Sequence, residues 1–318
     1  MDARISERTL VHLLRQAFAH FPQVEFVHRR LNELFASGCI EGQEPDRILL
    51  LGEPGTGKST LLKRWVAQHQ RVVHDTFTEV PALYAEVPFR CSTGSLASLL
   101  LRTLGSPLWD RGSEGDRVEQ LTVLLRQCKV RLVALDEVNH LVDRGRERTH
   151  YQVADCLKTM GDLSFVPFAF AGIPRSRSLL DANEQLADRT EIILVEPFSA
   201  EPKAAHPISA ALGVFKQLLE GVPAVDITNL KHSRAIAFAT NGRLRAIRRL
   251  FVRSVQIAYR LPSPQITAKV LAQAFLEVIF PGAPDQRNPF SKRFNGAPLT
   301  KAGEPYAPRR LGVGNDRA

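Results

Sequence analysis

The stretch RILLLGEPGTGKSTLLKRWV, residues 47–66, joins an apolar run to a glycine-rich turn and then to a helical pattern. After Arg47 the first residues are apolar without alternation, as in a parallel strand buried on both faces. Beyond the turn, Leu61, Leu62, Trp65 and Val66 share one helical face. Between them, Gly52 to Ser59 fits G-x-x-x-x-G-K-[ST], and strand–loop–helix is the setting that makes this pattern a phosphate-binding loop. Glycines let the backbone turn so that its N–H groups face an anion, and the helix start adds positive potential. The candidate nucleotide-binding residues are therefore Gly52, Glu53, Pro54, Gly55, Thr56, Gly57, Lys58, Ser59 and Thr60. Lys58 suits the β- and γ-phosphates of ATP, and the Ser59 hydroxyl suits Mg²⁺.

Binding alone is not hydrolysis, and the second half of the chemistry lies in KVRLVALDEVNHL, residues 129–141. VRLVAL reads as another buried strand ending in two adjacent carboxylates. Alternation along a strand sends neighbouring side chains apart, which permits two roles. Asp136 is a candidate metal ligand, and Glu137 a candidate general base for the attacking water.

Around these motifs, strands are expected at 85–90, 130–135, 164–172 and 190–195, with helices at 95–104, 117–128, 149–162 and 176–187. Alternating strands and helices predict an α/β core with a five-stranded parallel sheet covered on both faces. From residue 200 the pattern is helical only, over 206–220, 229–240, 242–260 and 267–280, with Thr267 as an N-cap. From 281 the sequence is rich in Gly, Pro and basic residues without periodicity, which predicts a disordered basic tail with Phe290, Phe294, Leu299 and Tyr306 as anchors for a partner. The expected division is a helical N-terminal segment (1–46), an ATPase core (47–199), a helical lid (200–280) and the tail (281–318).

Composition narrows the class. The 318 residues are 44% hydrophobic with a formal net charge of +9. Residues 1–200 hold 24 Lys and Arg against 26 Asp and Glu, whereas 201–318 hold 18 against 7. Such a basic C-terminal third points to an anionic partner, most often nucleic acid. Four scattered cysteines have no metal-ligand spacing, there is no signal-peptide pattern, and no apolar run approaches membrane length. A cytoplasmic protein without a membrane partner is expected.

A P-loop core with Asp-Glu at the second strand motif, followed by a helical lid, resembles the AAA+ ATPases. NGRLRAIRRLF (241–251) is similar to their sensor 2 signature, with Gly242 and Arg245, and QLADRTEIILVEPFS (185–199) resembles the segment that supplies an arginine finger, here Arg189. The resemblance thus implies catalytic roles for Glu137, Arg189 and Arg245. Family members end the fourth strand with a polar sensor 1 residue; FAFAGIP offers only Ala171, Gly172 and Ile173, which predicts slow hydrolysis. Within AAA+ proteins, LDEVNHLVDRGRERTHYQVADCLKTMGDLSFVPFAFAGIPRS (135–176) resembles the TniB/TnsC-type regulators of DNA transposition. That resemblance implies assembly as a ring or helical filament on double-stranded DNA, a transposase of the DDE integrase class and a TniQ-type target selector as partners, and disassembly on hydrolysis. It places DNA contacts between the second strand and Asp136, with Thr93, Ser95, Arg111 and Arg117 as candidates and the 143–148 basic loop as a further one. Along 242–260, Arg245, Arg249, Arg253 and Arg260 form a basic stripe opposite Leu244, Ile247, Phe251, Val255 and Ala258. Other AAA+ ATPases (ExeA-like, replication initiators, clamp loaders) and a hydrolysis-poor, ATP-gated DNA scaffold remain the alternatives.

Overall fold

In the computed structural model, which describes residues 5–143, 147–201 and 205–308, the chain divides into two units, residues 23–196 and residues 1–22 with 197–318. In chain order it opens with α1 (Glu7–Gln16) and α2 (Pro22–Ala36), and β1 (Arg47–Leu51) passes through the glycine loop into α3 (Lys58–Val66). A two-stranded hairpin, β2 (Val72–Val73) with β3 (Thr78–Glu79), precedes β4 (Ala82–Glu86), α4 (Thr93–Leu104) and α5 (Glu114–Gln127). Then come β5 (Leu132–Asp136), α6 (Asn139–Val142), α7 (Glu147–Ser164), β6 (Phe168–Gly172), a 3₁₀ turn (Pro174–Arg177), α8 (Ser178–Asp181), α9 (Glu184–Asp188) and β7 (Thr190–Leu194). Four helices follow: α10 (Ala205–Leu218), α11 (Leu230–Thr240), α12 (Leu244–Ala258) and α13 (Ala268–Val278).

The sheet of the first unit is five-stranded in the order β4-β5-β6-β1-β7, and every pairing is parallel. All residues of β1, β5 and β6 are buried, Arg47 at the start of β1 and Asp136 at the end of β5 included, and the apolar runs between lack the alternation of a half-exposed strand. One face of the sheet packs Leu49, Leu135 and Phe170 against Leu96 and Leu100 of α4, Leu121 and Leu125 of α5, and Leu157 of α7.

Several boundaries differ from the sequence expectation. The strand expected at 85–90 lies at Ala82–Glu86, because Pro88 has no N–H for the ladder and the chain turns outward at Phe89 and Arg90. The strand expected from 164 starts at Phe168: Ser164 ends α7, and Phe165, at φ +58°, makes the left-handed turn between them. The single helix expected at 176–187 is broken, since Asn183 leaves the helix and its side-chain oxygen accepts the Leu186 N–H at 3.0 Å to cap α9.

The second unit is helical and has its own core, in which Phe215, Ile236, Leu250, Phe251, Leu271 and Phe275 pack with Leu10 and Leu14 of α1. The expected N-terminal segment is thus divided: α1 belongs with the C-terminal helices and α2 with the sheet. Thr267 caps α13 as expected, its hydroxyl accepting the Val270 N–H at 3.3 Å. The disordered tail expected from 281 is corrected for residues 281–308. Arg287, buried, makes a bidentate pair with Glu304 at 2.6 and 2.8 Å and donates to the Ala297 and Pro298 carbonyls. Leu299 is 1% exposed, Phe290 and Tyr306 pack on the helical core, and Phe294 meets Phe238 edge to face. Those four side chains are thus taken up inside the unit rather than held out for a partner. Residues 309–318 lie outside the described residues.

Candidate functional site

The glycine loop is shaped by two left-handed residues, Gly55 (φ +88°) and Gly57 (φ +108°), conformations that a side chain makes costly. At Gly52 a Cβ would collide with the Val195 carbonyl, so the strand-to-loop exit also has room only for glycine. Thr56 Oγ1 donates to the Glu53 carbonyl at 3.0 Å and fixes the turn from within. Lys58 opens α3 and is 7% exposed, its Nζ donating to the Gly52 and Glu53 carbonyls at 2.7 and 3.0 Å. The ammonium is therefore held against the loop rather than in solvent. Ser59 and Thr60, half-buried, follow in the first turn of the helix.

Strand register brings the carboxylates to the same end of the sheet. Leu51 pairs with Gly172 and Leu51 also with Leu194, the Gly52 N–H donates to the Gly172 carbonyl at 3.2 Å, and Asp136 pairs with Glu86. Asp136 ends β5 at 2% exposure; its carboxylate accepts the Tyr84 hydroxyl at 2.8 Å and the Glu137 N–H at 2.9 Å. Burial and the neighbouring Asp136 carboxylate push the Tyr84 phenol above its ordinary range, which keeps it a donor. Glu137 leaves the strand at φ +56°, a conformation that costs a non-glycine residue of order 1 kcal/mol and tends to persist where function requires it. Tyr84 escaped the sequence reading. A tyrosine inside a strand with a buried hydroxyl needs a partner, and that need was its only signal.

The residues that end and follow β6, Ala171, Gly172 and Ile173, carry no polar side chain of their own. Gly172 is crowded by Ser176 and Val138, so a Cβ there has no room, and Ile173 is partly exposed. Close by in sequence and packing, Ser176 Oγ and Asn139 Oδ1 are buried without a partner among the described residues.

The remaining candidates are dispersed. Arg189 lies at the opposite end of the sheet: its carbonyl accepts the Arg47 N–H at 2.8 Å where β1 begins, and its guanidinium pairs with Glu44. The length of β1, about 15 Å, separates it from the glycine loop of the same chain. Arg175 and Arg177 pair with Asp143 at 2.7 Å and Asp181 at 3.9 Å. Arg245 is exposed in the first turn of α12, in the helical unit. Before it, Gly242 (φ +63°) has its Cβ position filled by Phe198, whose N–H donates to the Gly242 carbonyl at 3.0 Å. Along the basic stripe, Arg249 donates to the Val278 carbonyl and Arg253 pairs with Glu277, so part of it serves the unit itself.

Of the DNA candidates, Thr93, Ser95 and Arg117 are brought together where α4 begins. Thr93 hydrogen-bonds Glu114, Ser95 shares a 2.8 Å hydroxyl contact with Ser92, and Arg117 donates to Ser98 Oγ at 2.8 Å. Arg111 stands apart and exposed in the turn before α5. Residues 144–146 of the basic loop lie outside the described residues. Among the described residues no helix is long and apolar enough to cross a membrane.

Solved structures share this arrangement of sheet and helices. The Aeropyrum pernix Orc1 protein, solved in complex with DNA, superposes with a TM-score of 0.59 at 19% identity, over 87% of this chain and 71% of that one. Cdc6p from Pyrobaculum aerophilum gives 0.63 at 17% identity, over 86% and 72%. The Aeropyrum pernix ORC2 protein, solved as ADPNP–ADP complexes, gives 0.58 at 16% identity, over 80% and 66%. At these identities the likeness shows the fold, that of the AAA+ ATPases. A search of curated proteins finds no match. The family model described as bacterial TniB protein matches residues 9–200, more than half of the sequence, and the chain belongs to the TniB family.

Proposed function

We propose that this protein is an ATP-dependent, DNA-binding ATPase that regulates DNA transposition. It assembles on duplex DNA with ATP bound, links a TniQ-type target selector to a transposase of the DDE integrase class, and leaves the DNA after hydrolysis. The observation that carries the reading is the placement of Asp136 and Glu137 at the same end of the sheet as the glycine loop and Lys58.

The residues divide the work by chemistry. The loop N–H groups and Lys58 bind the phosphates of ATP. The donor set suits Mg²⁺, a hard cation that takes oxygen ligands: the Ser59 hydroxyl and the buried, Tyr84-oriented Asp136 carboxylate would hold it. When bound, it neutralises charge on the phosphate oxygens. Glu137 accepts the proton of the attacking water as general base. Arg189, a β-strand's length from its own glycine loop, acts on the nucleotide of a neighbouring copy, and Arg245 takes the role of the sensor 2 arginine. The basic excess of residues 201–318 and the cluster of Thr93, Ser95 and Arg117, with Arg111, support contact with DNA phosphates.

Ile173 and Gly172 at the end of β6 favour slow turnover, and with it a second reading in which the ATP-bound assembly is a scaffold and hydrolysis is incidental. Glu137→Gln tests both. The amide keeps the shape but cannot take the proton, so ATP-dependent DNA complexes should outlast those of the unsubstituted protein while phosphate release stops. Equal phosphate release by both would remove Glu137 as base, and equal complex lifetimes with hydrolysis abolished would favour the scaffold.

A further inference from the structure

The turn between β4 and α4 carries features that no assigned role uses. Phe89 is 65% exposed, an unusual place for a phenylalanine, and Arg90 beside it has φ +59°. The Arg90 guanidinium lies 5.3 Å from the centre of the Phe89 ring, within cation–π range. Buried Val87 and Cys91 anchor the turn on both sides, so Pro88, Phe89 and Arg90 project as a short, held tip. Its root is tied to the catalytic strand. The Val87 N–H donates to the Asp136 carbonyl at 2.9 Å, and the Val87 carbonyl lies 2.8 Å from His140 Nδ1. The His140 ring also meets the Phe89 ring edge to face, 5.8 Å between centroids. His140 stands three residues after Glu137, and its N–H donates to the Glu137 carbonyl at 3.0 Å.

We infer that Phe89 and Arg90 form a contact for duplex DNA, and that His140 transmits occupancy of this contact to Glu137. The inference rests on the ATP-dependent, DNA-binding ATPase proposed above and deepens it. Arg90 supplies the phosphate contact, and Phe89 supplies an apolar surface of the kind that packs into a groove beside sugars and base edges. Thr93 and Ser95 follow at the start of α4, so the tip extends the cluster of candidate DNA donors. A shift of the tip moves Val87 and the Phe89 ring, both of which touch His140. The His140 backbone N–H is in turn bonded to the backbone carbonyl of Glu137, the residue that activates water. The path runs in two steps, from the tip to His140 and from His140 to Glu137, and lies wholly within the sheet-containing unit.

The test measures duplex affinity by fluorescence anisotropy with an ATP analogue, and the ratio of ATP hydrolysis with and without duplex. The side chains of Phe89 and Arg90 are exposed, and the double variant Phe89→Ala/Arg90→Ala should bind duplex about tenfold or more weakly, the loss of one to two good contacts. His140→Ala should bind duplex as the unsubstituted protein does, yet its ratio of hydrolysis with and without duplex should fall towards one. His140→Asn, which keeps a donor near the Nδ1 position, should restore part of that ratio. Unchanged duplex affinity in the double variant would overturn the contact, and an unchanged ratio in His140→Ala would overturn the relay. Failure of the unsubstituted protein to bind duplex would instead overturn the function on which both rest.

Discussion

Asp136 shows what a single side chain requires in this fold. A carboxylate at 2% exposure needs hydrogen-bond donors in place of water, and Tyr84 and the Glu137 backbone supply them. Tyr84→Phe removes one of these while keeping the ring against Lys63. Groups that orient a metal ligand typically contribute 10- to 100-fold in metal affinity, so this variant should need about tenfold more Mg²⁺ for half-maximal hydrolysis. Its affinity for ATP measured without Mg²⁺ should hardly change. An unaltered Mg²⁺ requirement would reduce Tyr84 to a packing residue. At this scale the sequence was informative where chemistry demands particular residues in order, as from Gly52 to Ser59 and at Asp136–Glu137. It was silent where a partner arrives from another strand: Tyr84 is 52 residues from Asp136, and nothing local announces the bond.

Elements were legible in proportion to their periodicity. The buried strands β1, β5 and β6 and the amphipathic helices α4, α12 and α13 follow directly from apolar spacing, whereas their ends follow from capping and from prolines that the spacing does not encode. Residues 281–308 mark the opposite limit. They lack periodicity because they form neither helix nor strand of length, yet Leu299 and Arg287 are buried in the helical unit. A segment can be ordered by a few side chains placed on a core that other residues build. Leu299→Ala should therefore destabilise the protein by about 2–4 kcal/mol, as buried leucines do. Denaturant unfolding followed by fluorescence or circular dichroism checks this; a loss near zero would mean that the segment is the free tail its composition suggests.

At the scale of the molecule, Lys58 and Arg189, which the proposed function brings to one phosphate, lie at opposite ends of the same sheet. Lys58 is at the end of β1 that opens into the glycine loop, and Arg189 is beside its start. A complete site on the proposed reading therefore needs two copies. Mixing Lys58→Ala with Arg189→Ala, each inactive alone, should restore part of the hydrolysis at mixed interfaces, since an arginine finger is worth about 10³-fold or more. Full activity of Arg189→Ala alone would place the finger elsewhere, with Arg175 or Arg177 next.

In the proposed function, nucleotide in the glycine loop controls attachment to duplex DNA. The direct measurement is duplex affinity as a function of salt, for the unsubstituted protein and for Lys58→Ala, with and without an ATP analogue and Mg²⁺. Binding should require nucleotide, be lost in Lys58→Ala, be indifferent to DNA sequence, and weaken with salt by about 0.9 in log–log slope per phosphate contacted. Equal binding by both proteins, with or without nucleotide, would contradict it.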